Sequence, residues 1–79
     1  MFRELELVVL ARDVPEHGLH AGDVGTVLHW YRDGEAYEVE FLTGDGLPVG
    51  IVTLTKDEVR EMDPAEVLHV RKLERRGSR

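Results

Sequence analysis

Apolar positions fall into short alternating runs broken by polar turns roughly every ten residues, the rhythm of a small all-β domain. The first run spans about Leu5 to Ala11. Leu5, Leu7 and Val9 share one face, predicted to point inward, and Glu4 and Glu6 open the other. Val8 and Leu10 then continue that second face as apolar. A strand with one wet side has no need of them, so a covering segment is expected over that end of the sheet. Arg12 to Asp23 reads as a long loop, with Pro15 fixing φ and Gly18 and Gly22 permitting reversals. Val24 to Tyr31 is β-branched and aromatic, and Gly25 within it marks a bulge or a close backbone approach that leaves the strand's phase open.

Asp33-Gly34 predicts a hairpin turn into the cleanest strand, where Tyr37, Val39 and Phe41 face inward and Glu38 and Glu40 face water. Gly44-Asp45-Gly46 turns the chain into Val49 to Thr55, and Val59 to Met62 closes the sheet as a short fifth strand. Asp63-Pro64-Ala65-Glu66 has the form of a helix start, with Asp as cap, Pro at the first position and Glu completing a capping box. One helical turn over Asp63 to Val67 is expected, then an extended end whose Val67, Leu68 and Val70 cover Val8 and Leu10. The reading is one all-β unit, a small five-stranded barrel over residues 1–62. Residues 63–79 form a C-terminal extension packed on it, basic and frayed from about residue 71.

At 79 residues the chain holds one domain, and a domain of this size buries only about 60% of the surface its unfolded form exposes. It contains no cysteine, so neither disulfides nor a thiolate metal site can supplement the core. Asn and Gln are also absent and a third of the residues are charged, which points to a thermophilic source; a GC-rich genome gives a similar bias. The first residues lack the basic start and long apolar run of a signal peptide, and no segment is long and apolar enough to span a membrane. A cytoplasmic protein is expected.

Charge divides the chain. Residues 1–70 carry five Lys/Arg against fifteen Asp/Glu, a balance of −10, and residues 71–79 carry five against one, +4. An acidic body repels phosphate backbones, so nucleic acid is not expected as a partner.

The stretch L-E-L-V-V-L-A-R-D-V-P-E-H-G-L-H-A-G-D-V-G-T-V, followed by Y-E-V-E-F, resembles a bacterial family of small proteins known as a domain of unknown function. The likeness covers residues 4–62 and the ending H-V-R resembles extended members. It implies an SH3-like barrel and a bacterial source, and brings no reaction and no functional residues. G-D-V-G-T-V is similar, more loosely, to the turn-and-strand element of RNA-binding KOW modules, which carry Lys and Arg around the turn. This chain has Glu16, His17, His20 and Asp23 there, which removes the charge that binds phosphate. The same stretch resembles weakly the SH3-like part of the nitrile hydratase β chain. The metal of that enzyme is held by cysteines of its other chain, so no activity carries over.

His17 and His20, with acidic neighbours, are weak metal-ligand candidates, since a loop lacks the fixed spacing of helical ligands. His29 and His69 are single residues in apolar segments, expected to be partly buried and hydrogen-bonded. No nucleophile has a base at readable spacing, and no catalytic residue or cofactor is assigned. Trp30 and Tyr31 are the best binding candidates, an aromatic platform with Asp13, Glu16 and Asp23 as an acidic rim. The expected role is a non-enzymatic interaction module, regulatory or antitoxin-like, that binds a basic protein partner. Two alternatives are a homo-oligomer joined through the basic end and strand edges, and an accessory or metal-dependent small-ligand protein using the His17/His20 loop.

Overall fold

The computed structural model describes residues 2–73. Arg75, Arg76 and Arg79, and with them the fraying and cross-chain contacts expected of the basic end, lie outside the described residues. Five antiparallel strands form one sheet: β1 (Leu7–Leu10), β2 (Val24–Tyr31), β3 (Ala36–Leu42), β4 (Pro48–Thr55) and β5 (Val59–Arg60). Their order, β4-β3-β2-β1-β5, is a four-strand meander whose fifth strand returns beside the first. The sheet curls into a half-barrel, the small all-β fold expected. Among the described residues no helix is long and apolar enough to cross a membrane.

The core lies inside the curl. Tyr37, Val39 and Phe41 face it as their alternation requires, joined by Val27, Val52, Leu54 and Val59. The Tyr37 hydroxyl accepts a hydrogen bond from the Phe2 amide at 3.1 Å, which satisfies its polar end and ties the N-terminal segment over the core.

Strand β1 corrects the expected phase. Val8 and Leu10 are the core residues, while Leu5 and Leu7 are exposed on the other side. Both faces of this run are apolar, so alternation alone supports either phase. Leu5 is not a strand residue: its φ of 69° places it in a left-handed bend before β1 begins. Pairing then decides the matter. Leu10 lies opposite Val59 and Val8 opposite Gly25, all on the core side.

Gly25 makes a close approach rather than a bulge. A Cβ built there would lie 2.5 Å from Val39 Cγ1 and 2.8 Å from Phe41 Cε2, so the two side chains fill the space a side chain at 25 would need. The register shift falls instead between Val27 and His29. The extra residue reverses the alternation, and Trp30, opposite Tyr37, turns its ring against the core.

The loop before β2 is built from within. Val14 and Leu19 bridge each other and bury their side chains in the core, with a single 3-10 turn, Pro15–His17, between them. Beyond β5, Asp63 Oδ1 accepts from the Ala65 amide at 2.8 Å and Glu66 Oε1 accepts from the Asp63 amide at 2.8 Å. This is the reciprocal geometry of a capping box, yet it closes one turn and no helix follows. Val67 and Val70, expected to cover Val8 and Leu10, are 89% and 96% exposed. The C-terminal segment instead faces the outer side of β1, where Val9 lies near Met62, Val67 and His69.

Candidate functional site

Asp23 ends the long loop and begins β2. Its carboxylate is the one acidic side chain that is buried among the described residues, and it gathers three donors. Oδ2 accepts from the His20 amide at 2.8 Å, so the loop's own turn orients it. Arg71 arrives from the C-terminal segment and donates through Nη2 to Oδ2 at 2.6 Å and through Nε to Oδ1 at 2.9 Å. His69 Nε2 lies 2.8 Å from Oδ1. Arg71 Nη2 also donates to the Gly18 carbonyl at 3.0 Å. His69 and Arg71 are two apart in an extended segment, so both meet the same carboxylate. Gly22, with φ 97°, passes beneath the imidazole, and a Cβ there would stand 3.8 Å from the ring.

Burial pushes the Asp23 carboxyl pKa up, but the Arg71 guanidinium, the His20 amide and His69 together outweigh it and hold the value at about 2, against an ordinary 3.8. Asp23 is therefore ionised throughout the physiological range, and its charge is matched by a fork-shaped cation.

Beside this anchor runs a groove of about 620 Å³. One wall combines Leu7 and Val24 of β1 and β2 with the core residues Leu19 and Phe41, continued by Leu42 and Val49 where β3 turns into β4; its other wall is the segment Leu68 to Leu73. Leu7 and Leu42 are exposed, as are Leu68 and Val70 across the groove. The site is thus an apolar channel with one buried carboxylate at its side, spanned by the chain's own C-terminal segment.

Of the binding and metal candidates singled out from sequence, only Asp23 stands in this groove. Asp13 is exposed, with Oδ1 accepting from the Ala21 amide at 2.9 Å, and Glu16 is exposed on the 3-10 turn. Trp30 is half-buried against the core, and Tyr31 is exposed with its hydroxyl bonded to Glu38, which raises its pKa. These two rings lie at the far end of β2, roughly 20 Å from Asp23 by strand rise. The structure does not gather the aromatic pair and the acidic rim at one place. His17 approaches Gly50 of β4 and His20 is exposed. Among the described residues no three metal-ligating side chains converge.

His69 was legible as a hydrogen-bonded histidine, but its partner was not. Arg71 was missed as a site residue. The signal for both is the alternation L-H-V-R, which sets two polar side chains on one face of an extended segment.

Residues 4–61 match the family model described as Domain of unknown function (DUF4926). The chain belongs to that family. The DUF4926 match takes in the whole sheet, Asp23 and the sheet wall of the groove, whereas His69 and Arg71 lie beyond it. No curated protein and no solved structure matches the chain.

Proposed function

We propose that this protein is a non-enzymatic interaction module whose acidic surface and apolar groove receive a basic segment of a protein partner. The observation that carries the reading is the Asp23 carboxylate, ionised and buried at the side of an apolar channel, where a guanidinium is its natural complement. The balance of −10 over residues 1–70 supports it, because such a surface steers cationic partners and repels nucleic acid. The test is affinity capture from native lysate with purified protein as bait, at low and high salt. A stoichiometric partner with a basic face is expected at low salt, lost as salt rises and lost with Leu42→Glu in the groove wall. Absence of any stoichiometric partner at low salt contradicts the reading.

Self-association is a second reading, supported by the outer edge of β4. This eight-residue strand pairs only with β3 among the described residues, and Ile51 on it is exposed. Light scattering at high concentration separates the two: a dimer supports self-association, a monomer dismisses it.

A further inference from the structure

Among the described residues, no main-chain hydrogen bond joins residues 67–73 to the sheet. Among the described residues, its side-chain hydrogen bonds to the barrel converge on one point, with Arg71 and His69 on Asp23 and Arg71 on the Gly18 carbonyl. Three of its four apolar side chains gain little from where they lie, while Leu73 at its end is half-buried beside the groove. Val67 and Val70 stand almost fully in water, and Leu68 is more than half exposed, although an apolar groove runs alongside. A segment anchored by polar contacts, with Val67, Leu68 and Val70 left largely in solvent, is positioned without being well packed.

We propose that residues 67–73 are a displaceable strap, and that the groove's ligand is an extended, arginine-bearing segment of a partner protein that takes Arg71's place on Asp23 and turns apolar side chains into the channel. This rests on the reading of the protein as an interaction module and names the chemistry and the regulation of the same groove. The strap itself displays what the site accepts. Two parallel N–H groups meet the two carboxylate oxygens and a further bond reaches the Gly18 carbonyl, a pattern that a planar guanidinium supplies and an ammonium does not. Leaving the strap's position empty would strip the ionised Asp23 carboxylate of its guanidinium partner, so an incoming guanidinium favours release of Arg71. A tethered strap competes as though present at roughly millimolar concentration, so it excludes weak basic peptides and yields to a segment that also fills the groove. The strap is thereby a specificity filter as well as a cover.

The test uses full-length protein and a fluorescently labelled peptide of residues 67–73 (V-L-H-V-R-K-L), with binding read by anisotropy. Arg71→Ala removes the strap's guanidinium from Asp23 while keeping the chain intact, and it should bind the peptide at least about tenfold more tightly than wild type. Replacing the peptide's arginine by lysine, or protein Asp23 by Asn in the Arg71→Ala background, should remove at least about tenfold of that affinity. His69→Ala keeps the guanidinium and should show a smaller gain, so the comparison survives if Arg71→Ala folds poorly by circular dichroism. Equal binding to wild type and both strap variants would overturn the proposal, as would equal binding of the lysine peptide. A wild-type dimer that dissociates in Asp23→Asn would also overturn it, in favour of strap exchange between two copies. If lysate capture finds a partner whose binding Arg71→Ala leaves unchanged, the strap proposal falls while the interaction reading stands.

Discussion

Arg71 and Asp23, 48 residues apart in sequence, meet through two parallel hydrogen bonds of 2.6 and 2.9 Å, with side-chain exposures of 22% and 10%. Arg60 and Glu66 also make a two-bond fork, end-on through Nη1 and Nη2, at 2.8 and 2.7 Å, with exposures of 44% and 39%. Both pairs are bidentate, and their surroundings differ. Water screens the second pair and hardly reaches the carboxylate of the first, so the two arginines should differ in what their loss does.

Arg71→Ala leaves a buried carboxylate without its main cation and should lower unfolding stability by about 1–3 kcal/mol. Arg71→Lys, which keeps charge and loses the fork, should fall between that variant and wild type. Arg60→Ala should leave the urea midpoint almost unmoved. Equal midpoint shifts for Arg71→Ala and Arg60→Ala would mean that burial of the Asp23 pair carries no weight.

Gly25→Ala tests the packing of β2 on β3. The new methyl would meet Val39 and Phe41 side chains at 2.5 and 2.8 Å and the Glu40 carbonyl at 3.0 Å. Overpacking of this kind costs about 1–3 kcal/mol. Chemical denaturation of a well-folded variant with wild-type stability would show that this close approach does not exist.

The phase of β1 is equally open to measurement. Leu10→Ala removes a core side chain and should destabilise by about 2–5 kcal/mol. Leu5→Ala lies in an exposed bend and should change stability by about 0.5 kcal/mol or less. The reverse ranking would restore the inward assignment of Leu5 and Leu7.

How far these features could be read in advance varied with the physics behind each. The β3 assignment was legible because Tyr37, Val39 and Phe41 alternate with Glu38 and Glu40, and one register satisfies both faces. The β1 phase was not, because Leu7 and Val9 are as apolar as Val8 and Leu10, and only cross-strand pairing separates them. That an outer apolar row needed cover was legible; that the row was Val9's, beneath a segment held by polar contacts, was not. Asp23 drew attention as one acid in an acidic rim. Charge alone does not say which carboxylate is buried or which of several arginines reaches it, since that depends on a contact across most of the chain. Trp30 illustrates a different limit: a one-residue bulge reverses which side its ring faces, and nothing in the local pattern locates that bulge.

Arg71 and His69 hold Asp23, and the carboxyl's own titration reports this directly. A carboxyl whose folded pKa is depressed contributes stability above its unfolded value of 3.8 and loses it as pH falls towards about 2. Carbon-detected NMR of the Asp23 side chain should give a midpoint near 2 in the wild type and a higher one in Arg71→Ala, with residues 67–73 loosening over the same acid range. A wild-type midpoint at 3.8 or above, unmoved by Arg71→Ala, would contradict it.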